Sequence, residues 1–138
     1  MGRTVSLAAL CLLAGVALGS VGGEPLGAQQ QLIKRTDLLK AELTEMKDNE
    51  MHVWVADVAP NAATGRHAHP TPRFVYVLEG AVVVEVEGMP AQTFKAGQAF
   101  VEMPNRIHNF RNASTTEPAK ALGFQYAAKG QPLQTSAP

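Results

Sequence analysis

The sequence predicts one domain of the all-β class, built as a sandwich or barrel of short strands. The chain has 138 residues, a length that suits a single hydrophobic core. Apolar and polar residues alternate in several short segments, and this period of two places successive side chains on opposite faces of a strand. Gly, Pro and Asn residues separate the segments at short intervals, as the turns of an antiparallel fold require.

Residues 36–46 form the first candidate element, and two interpretations of it are open. Leu38, Leu39, Leu43 and Met46 fit the apolar stripe of a helix. A strand is favoured, because every later segment predicts a strand and tertiary pairing often overrides a local helical pattern. The later strands are expected at Met51–Val58, Phe74–Leu78, Ala81–Glu87, Thr93–Lys95, Ala99–Glu102, Ile107–Asn112 and Ala121–Ala127.

The N-terminal residues predict a signal peptide. Arg3 supplies a positive charge before an apolar run from Val5 to Leu18, which is shorter than the ~20 residues that a membrane-spanning helix needs. Ala17 and Gly19 are small residues at the spacing that a signal peptidase favours. We therefore expect residues 1–22 to be removed and the protein to be secreted or periplasmic, with an uncleaved membrane anchor as the alternative.

The rest of the chain divides into three parts by composition. Residues 23–36 contain Gly, Pro, Ala and Gln with few apolar side chains, which predicts a flexible linker. Residues 37–130 hold the predicted β-barrel, and the polar residues 131–138 predict a disordered tail.

Charge and cysteine content exclude several classes of function. The chain carries 12 basic and 12 acidic side chains without a run of like charge, so nothing favours a nucleic-acid partner. Its one cysteine, Cys11, lies inside the predicted signal peptide. The mature protein should therefore contain no disulfide, no thiolate nucleophile and no Cys-ligated metal, and it should keep no stable membrane anchor.

Three histidines are candidates for metal binding. His67 and His69 are two residues apart, so in a strand they share one face, and their imidazoles could meet one ion at about 2 Å. Taken alone, this pair is more typical of two loop histidines without any ligand. His108 opens a later predicted strand directly after a turn, where a lone histidine is usually structural.

The residues around these histidines resemble the two motifs of the cupin family. Residues 65–80, GRHAHPTPRFVYVLEG, resemble the first motif. The second motif is matched in spacing by Gly97, Pro104, His108 and Asn112, with Asn105 where the family usually has Gly. The resemblance covers about residues 37–130 and implies a double-stranded β-helix, the jelly-roll barrel.

The resemblance also implies a divalent metal held inside the barrel by three His and one Glu. It places His67, His69 and His108 at the three histidine positions. Fe(II) is the metal that we favour, with Mn, Ni, Cu or Zn as alternatives. In similar exported cupins the segment of Leu38–Met46 is usually a strand, and the barrels commonly form homodimers through the outer sheet and the N-terminal strand.

One departure from the family pattern concerns the carboxylate ligand. The family's glutamate belongs at Arg73 or Phe74, and neither residue can bind a cation. Glu102, next to the Pro104 turn, is the candidate replacement, because a carboxylate among apolar strand residues is costly to bury unless a cation satisfies it. A subset of cupins resembles this sequence in lacking the glutamate of the first motif and in carrying a glutamate just before the proline of the second motif. One alternative is a site of three neutral histidines with an anionic ligand that pairs with Arg73. Glu102 would then face solvent or form an ion pair with Arg73 or Arg106.

Two functional hypotheses follow. The first is a metal-dependent, dioxygenase-type oxidoreductase acting on a small anionic or phenolic substrate, in which Arg73 orients an anionic group through its planar guanidinium. The second is a non-catalytic module that binds a small ligand or a metal. A family resemblance transfers the scaffold and leaves the reaction open.

Overall fold

The computed structural model describes residues 32–138. The predicted signal peptide and most of the predicted linker lie outside these residues. The described chain forms β1 (Ile33–Glu42), β2 (Asn49–Val58), β3 (His67–Ala68), β4 (Arg73–Glu79), β5 (Ala81–Val86), β6 (Gln92–Lys95), β7 (Ala99–Glu102), β8 (His108–Asn112), β9 (Ala119–Ala128) and β10 (Thr135–Ser136). Residues 32–138 contain no helix with the length and apolar character that a membrane span requires.

The strands form two five-stranded antiparallel sheets. One sheet has the order β1-β2-β9-β4-β7 and the other the order β10-β3-β8-β5-β6. Strands that are distant in sequence are therefore neighbours in space, and the two sheets enclose a barrel of the jelly-roll type. This arrangement confirms the predicted all-β class, and the expected later strands agree with β2 and β4–β9 within two residues at each end.

The ambiguous N-terminal segment is a strand, and it begins earlier than predicted. β1 starts at Ile33, so residues 33–36 belong to the sheet and not to the linker. The strand pairs with β2 from Ile33↔Val58 to Glu42↔Glu50, with an irregularity between Asp37 and Leu39. Nine Cα pairs with β2 extend the sheet along this segment, so tertiary pairing overrides the local helical pattern, and Leu38 and Leu39 remain exposed.

The C-terminal segment differs from the disordered tail that its composition suggests. Thr135 and Ser136 form β10 and pair with Ala68 and His67 of β3. Beyond them, Ala137 donates its N–H to the Arg66 carbonyl at 2.9 Å. The edge of β3 offers unpaired backbone groups, and polar residues can satisfy them as well as apolar ones because the pairing uses only the main chain.

The apolar core fills one end of the barrel and leaves the other end to polar groups. On β4 the inward positions run from Arg73 through Val75 to Val77, while Phe74 and Tyr76 face outward. Burying each core valine contributes about 1.5–3 kcal/mol. The core consists of Val58, Ala62, Val75, Val77, Val82, Val84, Phe110, Ala119 and Ala121. The inward row of β4 therefore leads from this core directly to the buried polar cluster described next.

Candidate metal centre

Four side chains converge inside the polar end of the barrel. His67, His69, Glu102 and His108 each bring one ligand atom within 4.8 Å of the others, and all four are buried. These are the four residues that the sequence identified as candidate ligands. Glu102 points inward and is 4% exposed, so the alternative of a solvent-facing carboxylate is wrong.

Strand pairing and one turn bring the four groups together. His67 on β3 and His108 on β8 are Cα partners, and their ring centroids lie 4.4 Å apart. Glu102 ends β7, and the following turn contains Asn105 at φ 56°, the left-handed conformation that Asn tolerates in place of Gly. The Asn105 N–H donates to the His69 carbonyl at 2.8 Å. The turn therefore fixes His69 relative to Glu102.

Backbone carbonyls set the orientation of each imidazole. The Nδ1 atoms of His67, His69 and His108 lie 2.9, 3.0 and 2.8 Å from the carbonyls of Gly65, Leu133 and Arg106. A carbonyl only accepts hydrogen bonds, so each Nδ1 carries the proton and each neutral ring presents its Nε2 lone pair to the centre of the cluster. Metal-binding histidines are typically held in this way.

The centre of the cluster lacks a positive partner for these lone pairs. Among residues 32–138, nothing hydrogen-bonds to Nε2 of His67 or Nε2 of His108, although both atoms are buried. Nε2 of His69 lies 3.0 Å from Oε2 of Glu102, so a lone pair faces a carboxylate oxygen unless a cation or a proton lies between them. Buried polar atoms in proteins are normally satisfied. The donor set therefore fits a divalent transition metal.

The environment of the cluster shifts the pKa of each of its four groups. Burial lowers the pKa of His67 to about 4, and burial also lowers the pKa of His69, although the Glu102 carboxylate opposes this. For His108 the same burial effect is outweighed by Glu102, which raises the pKa. Burial of Glu102 acts to raise its pKa, but His108, His69 and Arg73 together hold it well below its usual range. Glu102 is therefore ionised, and burial favours neutral His67 and His69, whereas the carboxylate favours a proton on His108.

Arg73 lies beside the carboxylate and not among the ligand atoms. Its Nε is 3.8 Å from Oε2 of Glu102 and donates to Oε1 of Gln125 at 2.9 Å, while Nη2 reaches Oε1 of Gln134 at 3.4 Å. Burial lowers the pKa of Arg73 to about 10, against the opposing effect of Glu102, and the guanidinium stays charged at neutral pH. Glu102 thus faces the histidines and also forms a loose ion pair with Arg73.

Two further groups of the site were missed in the sequence. Gln125 is 1% exposed and bridges Arg73 to the Leu133 carbonyl, to which its Nε2 donates at 2.9 Å. Leu133 belongs to the segment predicted to be disordered, and its carbonyl also holds His69. Gln125 could have been found in the sequence, because it is a polar residue at an inward position of β9, in line with Ala121 and Gly123. The Leu133 carbonyl could not, because every residue has a backbone carbonyl.

A cavity of about 320 Å³ opens beside the cluster. Glu102 and Arg73 form part of its wall, so a ligand in the cavity would lie next to the metal ligands. The cavity is lined by Ile33, Arg35, Trp54, Ala56, Thr64, Arg73, Val75, Glu102, Phe110, Ala121, Gly123 and Gln134. This volume suits a small organic molecule.

Residues 54–124, just over half of the chain, match the family model described as the Cupin domain. The chain belongs to the cupin family. None of the curated proteins matches this sequence. The matched span includes the four clustered side chains of this cupin, whereas β1 and the C-terminal segment lie outside it.

Solved structures resemble this cupin in fold. A cupin 2 domain-containing protein from Halorhodospira halophila has a TM-score of 0.62 and 15% identity, covering 86% of this chain and 76% of that chain. A cupin-like protein from Thermotoga maritima has a TM-score of 0.57 and 22% identity, with 72% and 77% covered. The polyketide cyclase RemF from Streptomyces resistomycificus has a TM-score of 0.55 and 19% identity, with 68% and 64% covered. At these identities the likeness shows the fold alone.

Proposed function

We propose that this cupin is a metal-dependent enzyme of the dioxygenase type that acts on a small anionic or phenolic substrate. The observation that carries this proposal is the buried set of three imidazole Nε2 atoms and one carboxylate within 4.8 Å of one another. Four protein ligands leave coordination positions open on a six-coordinate ion. Mixed nitrogen and oxygen ligation with open positions suits Fe(II), and Mn, Ni, Cu and Zn are the alternatives.

The residues of the chain have separate parts in this proposal. His67, His69, His108 and Glu102 would hold the metal, which when bound would supply redox chemistry and a binding position for oxygen. The three backbone carbonyls keep the Nε2 lone pairs directed at the centre of the cluster, where the ion would be held. Arg73 would pair with an anionic group of the substrate, and the apolar wall around Val75 and Phe110 would exclude water from it.

The lining of the cavity disfavours acid–base chemistry without a metal. Within the part of the chain that the structure describes, Glu102 is the only carboxylate that lines the cavity, and no Lys lines it. An isomerase or epimerase would need an acid–base pair separate from the metal ligands. Chemistry centred on the metal is therefore the reaction class that this lining supports best.

The second candidate function is a binding protein without catalysis. The observation that favours it is the same lining, which offers cations, apolar groups and no independent catalytic base. RemF, a polyketide cyclase, also shows that this scaffold carries reactions other than oxygenation. Ligand binding and turnover must therefore be measured separately.

Elemental analysis of the protein purified without chelators tests the metal centre. We expect about one divalent metal ion per chain in the wild type and less than about a tenth of that in His67→Ala and His108→Ala. His52→Ala is the matched control, because His52 contacts Glu50 at 3.0 Å and lies outside the cluster. A wild-type protein without stoichiometric metal would contradict the proposed metal-dependent function.

Oxygen-electrode measurements then separate enzyme from binding protein. The metal-loaded protein should consume oxygen with at least one compound of a panel of flavonols, diketones and small thiols. His108→Ala should abolish this uptake. Metal binding combined with silence across the panel would support the non-catalytic alternative.

We also propose that the protein is exported and that the mature form dimerises. The charge and apolar run at the N-terminus support export. Exposed Phe74, Tyr76 and Val101 on the outer face of the first sheet support self-association, because they form an apolar surface there. Intact-mass analysis of the secreted or periplasmic protein and light scattering of the purified protein test the two statements. Absence of the protein from the secreted and periplasmic fractions contradicts the first, and a monomer at micromolar concentration contradicts the second.

A further inference from the structure

A second arginine shares the cavity with Arg73. Arg35 is contributed by β1, and its Cζ lies 4.0 Å from the centroid of the Trp54 ring. The Cζ of Arg73 lies 5.0 Å from the same centroid, and all three residues line the cavity. Two guanidinium groups from different strands therefore meet around one buried indole.

Trp54 is held in place from the side of the sheet. It is 5% exposed and is the Cα partner of Gly123 on β9. A Cβ added at Gly123 would lie 2.5 Å from the indole atoms Cε2 and Cζ2, so the indole lies directly against the glycine backbone. This contact keeps the ring as a fixed support for both arginines, each within the range of a cation–π interaction.

Both guanidinium groups keep donors available for a ligand. Arg35 uses Nε for Oδ1 of Asp37 at 2.7 Å, and Arg73 uses Nε and Nη2 for Gln125 and Gln134. Over residues 32–138, no acceptor is bonded to either Nη atom of Arg35 or to Nη1 of Arg73. Arg73 is 9% exposed, and donors buried that deeply are normally paired, whereas the side chain of Arg35 is 34% exposed and can also be solvated. Together these atoms offer an anion several charge-assisted hydrogen bonds.

The charges around the cavity favour an anion. Glu102 faces the histidines and Arg73, and the side chain of Asp37 is 70% exposed, outside the cavity lining. Within the lining two arginines face the single carboxylate of Glu102, while Asp37 neutralises part of the Arg35 charge from outside at 2.7 Å. A divalent metal would add further positive charge. The remaining wall is largely apolar, with Ile33, Ala56, Val75, Phe110 and Ala121.

We propose that Arg35 and Arg73 together form a carboxylate-binding subsite around Trp54, and that the ligand of this cavity is a small organic carboxylate with an apolar body. The carboxylate pairs with the free Nη donors, and the apolar body lies along the wall between Val75 and Phe110, next to Glu102. Arg35 lies outside residues 54–124, so the family match does not assign it this role. The inference rests on the proposed function only in taking this cavity as the ligand site.

Fluorescence of Trp54 provides the test, because it is the only tryptophan of the chain. The probes are benzoate and propionate, with benzamide and propionamide as neutral counterparts, and calorimetry checks each titration. At least one of the two carboxylates should produce a saturable change in emission, and its amide should bind at least about tenfold more weakly. Equal binding of carboxylates and amides, or no saturable binding of either carboxylate, overturns the inference.

Variants at position 35 isolate the contribution of β1. Arg35→Gln should weaken binding of the carboxylate about tenfold, and Arg35→Lys should weaken it less, because it keeps the charge but loses the planar fork. Lys34→Gln is the matched control, since it removes one positive charge from the neighbouring position, which points away from the cavity. Far-UV circular dichroism confirms folding of each variant. Wild-type affinity in Arg35→Gln overturns the inference even if the amides bind poorly.

Failure of this inference can be distinguished from failure of the proposed function. Carboxylate binding is measured on metal-loaded and metal-free protein, together with metal content and oxygen uptake. Binding that depends on Arg35 in a protein without metal or turnover leaves the subsite standing and removes the enzyme. Turnover by the wild type, combined with unchanged carboxylate affinity in Arg35→Gln, leaves the enzyme standing and removes the subsite.

Discussion

Arg73 and Glu102 are Cα partners across the antiparallel strands β4 and β7. The cupin resemblance implies a glutamate at Arg73 or Phe74, and the strand paired with Arg73 supplies a carboxylate instead. Directly opposite side chains of a sheet project to the same face. Glu102 on β7 therefore lies on the same face as Arg73 on β4, beside the histidines. The arginine that remains pairs loosely with the carboxylate at 3.8 Å and faces the cavity.

We expect Glu102 to be necessary for tight metal binding, because it is the only carboxylate of the cluster. Glu102→Gln removes the negative charge and leaves an amide whose NH₂ group cannot ligate, so metal affinity should fall by more than about a hundredfold. Thermal unfolding checks this, since metal that binds only the folded protein raises Tm. Added metal should stabilise the wild type and leave the variant unchanged. Glu85→Gln is the control, because Glu85 pairs with Arg111 at 2.8 Å away from the cluster; equal metal stabilisation of Glu102→Gln and Glu85→Gln would contradict the assignment.

Metal-free protein should lose stability as the pH falls from about 6.5 to about 4. Burial lowers the pKa of His67 from 6.5 to about 4, so in this window the unfolded chain binds a proton that the folded protein does not. The stability is therefore present above the unfolded pKa and is lost as the pH falls through the window. His108 has the opposite sign, because its raised pKa contributes stability that disappears as the pH rises.

Comparison of the wild type with His67→Gln isolates the contribution of His67 to the pH dependence of stability. Urea unfolding in the presence of a chelator should give the variant a flatter pH dependence between about pH 7 and about pH 4, by on the order of 2 kcal/mol. Parallel curves for the two proteins would show that His67 is not held neutral in the folded state.

The sequence predicts the four candidate ligands but not the groups that hold them in place. His67, His69 and His108 follow from motif spacing, and Glu102 stands out as a charge within an apolar strand, so each carries its own signal. Gln125 and the Leu133 carbonyl lie 52 and 64 positions from their partners Arg73 and His69. Contacts at that separation are set by the order of strands in the sheets, which local patterns do not encode.

The same limit explains the two ends of the domain. Residues 33–36 were assigned to a linker and residues 131–138 to a disordered tail because their side chains give little sign of a core. Both segments are ordered through main-chain pairing with β2 and β3, to which side-chain hydropathy contributes little. Arg35 was missed as a cavity residue for this reason, since its position in a strand was not recognised.

The C-terminal segment should be required for metal affinity. Deleting residues 133–138 removes the Leu133 carbonyl that accepts from Nδ1 of His69 and from Nε2 of Gln125. Loss of such a supporting hydrogen bond typically weakens metal binding 10–100-fold. Deleting only residues 135–138 keeps Leu133 and Gln134 while removing β10, so it should weaken binding less. Competition with a chromogenic chelator measures both constants, and similar affinities for the two truncated proteins would rule out a role of the Leu133 carbonyl.

Gly123→Ala should displace Trp54 and thereby disturb the cavity. The new Cβ would lie 2.5 Å from Cε2 and Cζ2 of the indole, closer than carbon atoms approach, so the ring or the β9 backbone must shift. Overpacking of this kind costs about 1–3 kcal/mol of unfolding free energy. The emission maximum of Trp54 should move in the same variant, because the stacked Arg35 and Arg73 lose their fixed support. Ala121→Gly, two residues earlier on the same face of β9, removes a Cβ and should lower stability by about 1 kcal/mol without moving the emission. An unshifted emission in Gly123→Ala would mean that the glycine does not position the indole, and the rigid support on which the arginine pair depends would have to be abandoned.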